Sequence, residues 1–339
     1  MVTIIDVARE AGVGLGTASR ALNGGAGVAA STRGCVLAAA ERLGYRPSRI
    51  ARGFPRGRTH TLEVLIPSFT RYFYFEILRG IADALTDTDY SLVIRNIDRA
   101  PDRDRAFAEC GARGRVDGAL IVSLCPTDAL LEQVARGSAP LALVDAAHPA
   151  LPYVAVDHEA SAVLATEHCL ALGHRKVALV DRADDPFMSV EPGPRQRGYR
   201  KALDHARLRP PSGYEHVATF SPHGGAAAME ALLALPDPPT AVLAGSDMQA
   251  MGLLDAARQH GLRIPDDVSI VGYNDIELAK YLGLTTVRVP MREMGRRGVE
   301  LLLRDIEEPE ASVEHVRLPT ELIVRASCGP PPGLHGRAQ

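Results

Sequence analysis

The chain has 339 residues, of which 46% are hydrophobic and 23% charged, and a formal net charge of −3. This length and composition predict a soluble globular protein of two or three domains and argue against a disordered, fibrous or membrane-embedded chain. The charge is unevenly spread: up to His60 nine arginines face only Asp6, Glu10 and Glu41, leaving about +6 there and about −9 on the remainder, as expected of a head that meets phosphates.

From Thr3, read as an N-cap, the residues Ile4, Ile5, Val7, Ala8 and Ala11 keep helical apolar spacing until Gly12 stops them. Leu15, Ala18, Ala21 and Leu22 then predict a second short helix, ended by Asn23-Gly24-Gly25, and two helices across a tight turn suggest a helix-turn-helix. Ser31 and Thr32 precede a third periodic stretch, Val36 to Leu43, closed by Gly44. From Tyr45 to His60 the composition turns to Arg, Gly and Pro, which reads as a linker with one or two helical turns between Pro47 and Phe54. Beyond it, β-rich runs (Leu62 to Ile66, Ser91 to Ile94, Gly118 to Val122, Leu141 to Val144, Lys176 to Val180, Ala241 to Ala244, Val268 to Tyr273) alternate with helical patterns. Such alternation predicts parallel α/β sheets, and a break near Leu172-Gly173-His174 suggests two similar lobes. In open α/β sheets a ligand sits beyond the carboxyl ends of the strands, so the residues just after those strands matter most.

The head residues TIIDVAREAGVGLGTASRALNG and TRGCVLAAAERLGYRPSRIARG resemble the lactose/galactose repressor (LacI/GalR) family. PSFTRYFYFEILRGI, RVDGALIV, LGHRKVALV, RQRGYRKAL, GLRIPDDVSIVGYNDIELA and LTTVRVP resemble that family's body, in its order. The resemblance implies a small all-α helix-turn-helix head (1–46), a hinge helix and linker (47–60), and a two-lobed core similar to periplasmic binding proteins, with two parallel Rossmann-like sheets (61–330); 331–339 is expected to be a disordered tail. It also implies a homodimer, with higher states open, that binds double-stranded palindromic DNA and answers to a small-molecule effector, a sugar or sugar derivative being the first expectation.

In such heads the second helix enters the major groove. Leu15, Gly16 and Arg20 stand at the family's base-reading positions, and only Arg20 has a guanidinium fork to pair with guanine. Thr17 and Ser19 suit phosphates, and Thr3, Asn23, Arg49 and Arg52 complete the expected DNA contacts together with Phe54, a minor-groove wedge where the family has leucine. Gly14 replaces the usual serine cap, and Gly16 costs helix stability while bringing no side chain to the groove. Gly53 and Pro55 weaken the hinge helix, which is therefore expected to order only on DNA.

In the body, the resemblance carries effector contacts to Tyr72, Phe73, Ser123, Asp145, Arg195, Phe220, Ser246, Asp247 and Asn274, the last standing where aspartate is usual. Aromatic faces stack on a sugar ring while Asp, Asn and Arg orient its hydroxyls. Phe73 and Phe220 also read as core aromatics, Arg195 as a surface residue, and Asp247 as a cap of the helix that follows it.

The five cysteines, Cys35, Cys110, Cys125, Cys169 and Cys328, form no CxxC pair, and the histidines, read as structural or exposed, show no metal-ligand spacing, so no disulfide framework, metal or cofactor is expected. The first 25 residues contain no secretory signal and no apolar run is long enough to span a bilayer, which leads to a cytoplasmic expectation. An enzyme is the weaker rival: Gly12-Val13-Gly14-Leu15-Gly16 follows no strand and lacks the third glycine of a dinucleotide loop at Thr17. A transport binding protein would account for the body but not for the basic head.

Overall fold

The structure, a computed structural model, describes residues 2–22, 24–45, 58–97, 99–112, 114–128, 131–132, 139–182, 193–310 and 312–332. In the head, α1 (Ile4–Glu10), α2 (Leu15–Leu22) and α3 (Ala30–Arg42) close on a miniature core of Val7, Ala8, Ala18, Ala21, Val36, Ala39 and Ala40. Thr3 stands at the N-cap of α1, where its N–H and hydroxyl donate to the Asp6 carboxylate at 2.8 and 2.7 Å. Those bonds hold the Asp6 carboxyl below its ordinary pKa. Gly12 ends α1 at φ +66, a left-handed turn open to glycine, and Val13 N–H then returns to the Ala8 carbonyl at 3.0 Å. The start of α3 differs from the sequence expectation: Ser31 and Thr32 lie inside its first turn, and the N-cap is Ala29, which makes no side-chain cap.

The body contains two six-stranded sheets. The first uses β1 (Thr61–Pro67), β2 (Ser91–Ile97), β3 (Gly118–Val122), β4 (Leu141–Val144), β5 (Tyr153–Val156) and β11 (His315–Leu318), in the order β11-β5-β4-β3-β1-β2. The second uses β6 (Val177–Arg182), β7 (Glu215–Ala218), β8 (Ala241–Ala244), β9 (Ser269–Asn274), β10 (Thr285–Arg288) and β12 (Glu321–Ile323), in the order β12-β10-β9-β8-β6-β7. Every recorded strand pair is parallel except β10 with β12. The two orders match position for position once each lobe's late-arriving edge strand is aligned.

Between the strands run α4 (Tyr72–Leu85), α5 (Ala100–Glu109), α6 (His158–Ala171), α7 (Pro194–His205), α8 (Pro222–Leu233), α9 (Asp247–Gln259), α10 (Glu277–Tyr281) and α11 (Met291–Glu307). Helix α6 packs on α7, β8, β10 and β12, all of the second lobe, whereas α11 returns to pack on α4, β3, β4 and β5 of the first. The chain therefore crosses between lobes three times, at Asp157, near Val289-Pro290 and at Pro319-Thr320. This corrects the break placed near Leu172-Gly173-His174: the first crossing precedes α6. That glycine turn ends a helix and not a lobe, since His174 is buried with its ring bonded to Thr240, Ser269 and the Gly329 carbonyl.

Candidate functional site

The strands of both lobes deliver their carboxyl ends to one cleft, a cavity of about 450 Å³. All nine expected effector residues line it: Tyr72, Phe73, Ser123 and Asp145 from the first lobe, and Arg195, Phe220, Ser246, Asp247 and Asn274 from the second. Several sit where the backbone pays a conformational cost. Ser68 after β1, Ser123 after β3, Asp145 after β4, and Asn274 with Asp275 at the end of β9 have φ of 52, 51, 58, 110 and 57°. Non-glycine residues avoid this left-handed region, and its use at successive strand ends bends each chain away so that side chains converge on the cleft.

On the first-lobe wall, Ser123 Oγ donates to Asp145 Oδ2 at 2.6 Å, while Asp145 Oδ1 meets His158 Nε2 at 2.8 Å. On the second-lobe wall, Arg195 Nε and Nη2 donate to Asp181 Oδ1 at 3.2 and 3.0 Å. Burial by itself lowers the Arg195 pKa, but Asp181, Tyr273 and Asp145 outweigh it and raise the value, so the guanidinium stays charged. It also lies over two rings, 5.4 Å from the Phe220 centroid and 5.2 Å from that of Tyr273. Arg71 of the first lobe approaches the same Phe220 ring at 5.7 Å. Phe220 is thus half-buried in the cleft and no core aromatic, and Arg195 is no surface residue. Opposite them, Gly245 leaves room that a side chain would fill, because a Cβ there would stand 2.4 Å from Asp181 Oδ1 and 3.1 Å from the Phe220 ring.

Two expected contacts, which line the cleft, also do structural work. Ser246, and not Asp247, caps α9 by accepting from Gln249 N–H at 3.2 Å. Asp247 is buried, with Oδ2 accepting from Ile276 N–H at 2.8 Å and Oδ1 from Thr286 Oγ1 at 2.6 Å, so its carboxylate holds the Asn274–Ile276 loop in place. Burial pushes its pKa up to about 7 against these bonds. Sequence reasoning overlooked Arg71, His158, Asp181 and Tyr273. The alternation rule pointed to residues after strands, which covers Arg71 loosely, but His158 opens a helix after a crossing and Asp181 and Tyr273 lie inside strands.

In the head, Leu15, Gly16 and Arg20 share an exposed face of α2, with Leu15 at 51% exposure, while Thr17 and Ser19 are half-buried. Arg20 Nε returns to the Gly16 carbonyl at 3.2 Å. Asn23, Arg49, Arg52 and Phe54, with the hinge helix, lie outside the described residues, as do 333–339 of the expected tail. Among the described residues no cluster of three or more His, Cys, Asp or Glu is arranged to hold a metal ion, and no helix is long and apolar enough to cross a membrane.

A basic three-helix head joined to a two-lobed cleft is the architecture of a ligand-responsive DNA-binding regulator. Residues 3–48 match the family model for bacterial regulatory proteins of the lacI family, and 166–328 match a periplasmic binding protein-like domain. The ribose operon repressor of Escherichia coli (strain K12) is 32% identical over 343 residues, covering 96% of this chain and all of the repressor. Among solved structures, a transcriptional regulator CelR-cellobiose complex is 30% identical with a TM-score of 0.67, covering 96% of this chain and 100% of its own. The lac repressor dimer bound to operator and the anti-inducer ONPF is 28% identical with a TM-score of 0.79, covering 96% of this chain and 98% of its own. The chain belongs to the lacI family of bacterial transcription regulators, a family of regulators and not of enzymes.

Proposed function

We propose that this regulator binds a palindromic operator as a dimer through Leu15, Gly16, Arg20 and their neighbours, and that a sugar or sugar derivative in the cleft sets its operator affinity, repression being the output. The observation that supports this most is the convergence of an aromatic ring, a charged guanidinium and a carboxylate on one cleft, the carboxylate of Asp145 standing on backbone held in a costly conformation at a strand end. Flat aromatic surface beside fixed donors and acceptors suits a ring bearing hydroxyls. The lac repressor structure is described as a dimer on operator, and the CelR structure as a cellobiose complex.

A dimer also accounts for apolar surface that a monomer leaves in water. Edge strand β2 exposes Val93 and Ile94, edge strand β7 exposes Val217 at 61%, and α10 exposes Tyr281 at 74%. Side chains of this kind on unpaired sheet edges mark an interface. Two heads on a palindrome double the contact of one recognition helix and fix the half-site spacing. We place the 1–46 head, the 47–60 hinge and the 61–330 sensing core in the cytoplasm with the DNA.

A gel shift with the DNA upstream of the protein's own gene tests the reading. A retarded complex is expected, and its apparent affinity should change at least several-fold when one member of a panel of pentoses, hexoses and disaccharides is added. A complex indifferent to every sugar, while nucleobases or amino acids shift it, would refute the sugar class.

A further inference from the structure

We propose that His158 is a positioning residue that ties the cleft wall of the first lobe to the second lobe, so that occupancy at Asp145 is read as lobe closure. The hydrogen-bond chain that carries it is continuous. Ser123 Oγ donates to Asp145 Oδ2 at 2.6 Å, Asp145 Oδ1 meets His158 Nε2 at 2.8 Å, and His158 Nδ1 meets the Tyr273 hydroxyl at 2.8 Å. Asp145 lies after β4 in the first lobe, Tyr273 lies on β9 in the second, and His158 opens the helix just past the first crossing.

The chemistry assigns each proton. A carboxylate only accepts, so the His158 Nε2–H donates to Asp145, and in that tautomer Nδ1 is the acceptor. Tyr273 supplies the matching O–H, and burial keeps that phenol protonated by pushing its pKa up to about 12. Every donor thus points toward Asp145. The hinge is part of the same arrangement: Ser161 Oγ, one turn after His158, bonds the Asp157 carbonyl at 2.6 Å and Thr320 Oγ1 at 2.8 Å, which joins the first crossing to the third.

A ligand hydroxyl that binds Asp145 shares a carboxylate whose other oxygen is already engaged to the opposite lobe. Strengthening or displacing that bond shifts the population of closed cleft, which is what a two-state element requires for coupling. The functional consequence rests on reading the cleft as the effector site, but the connection itself does not, and it is measurable without effector or DNA.

Hydrogen–deuterium exchange on the full unliganded chain tests it in wild type, Tyr273→Phe, His158→Gln and the double variant. Tyr273→Phe keeps an aromatic ring under Arg195, and His158→Gln keeps a donor for Asp145, so both variants remove the same His–Tyr bond. Each should raise exchange of the amides at 157–161 and 320–321 by roughly two- to tenfold, as for loss of one hydrogen bond. The double variant should fall well short of the sum of the singles, because both changes delete the His–Tyr bond even though Tyr273→Phe also removes the hydroxyl's contact with Ser161. Additive effects, unchanged exchange at 320–321, or an equal rise throughout β8 and β9 would each overturn the proposal. A failed gel shift would leave this result untouched, so the two readings fail separately.

Discussion

At the residue scale, much turns on side chains whose apparent role from sequence is not the one the fold gives them. Asp247 is the clearest case. Its folded pKa is raised from 3.8 to about 7 by burial, so below pH 3.8 folded and unfolded chains both hold the proton and its contribution to stability is fully present. As pH climbs, the unfolded carboxyl ionises first, and stability is lost progressively until the folded group ionises near 7. Asp247→Asn should flatten that decline in urea midpoints measured from pH 4 to 8, while a slope equal to wild type would show that Asp247 does not carry it. Gly16 gives the opposite lesson, since the sequence exposed its cost directly. A Cβ on Gly16 meets nothing within 4 Å, so Gly16→Ala should stabilise α2 by about 1 kcal/mol, read as a higher melting transition of the head. His158 was legible only as one histidine among eleven, because its partners lie 13 and 115 residues away and no local spacing encodes them.

At the element scale, burial helped but did not by itself decide which strands could be read. Gly118–Val122, Leu141–Val144 and Ala241–Ala244 were read to the residue because each is an apolar run with every position buried. The late strands His315–Leu318 and Glu321–Ile323 were not anticipated, since they are edges with alternating half-exposed polar residues and only three or four positions. Tyr153–Val156 and Thr285–Arg288 are equally short and were missed although largely buried. Strand β3 also connects two functional ends. Ser123 follows it in the cleft, and Asp117 precedes it, accepting from Thr59 N–H, Thr59 Oγ1 and His60 N–H at 2.5, 2.8 and 2.8 Å where the linker enters the body. The five buried residues of β3 lie directly between these two ends, so a change at Ser123 is expected to reach Asp117 along the strand. Asp117→Ala should therefore leave melting within about 1 to 2 kcal/mol of wild type yet weaken upstream-DNA binding several-fold in fluorescence anisotropy. Equal DNA affinity in the variant would show that this anchor has no part in holding the heads.

At the scale of the whole molecule, the two halves of the charge distribution match two tasks. The basic head gathers arginines suited to neutralising phosphates, while the body carries the net negative charge, so salt should govern DNA binding by the head and not ligand binding in the cleft. The class of fold was legible because a basic helical head and a long β/α alternation leave few architectures. The threefold crossing was not, because a chain that leaves a lobe and returns to it gives no compositional sign at Asp157 or Pro319-Thr320. The head should select particular DNA sequences, which is tested most directly by mixing the purified chain with sheared genomic DNA from its own source and sequencing the retained fragments at low and at raised salt. A small set of fragments sharing one palindrome is expected, with retention falling steeply as salt rises. Retention without any common sequence, or none at either salt, would contradict it.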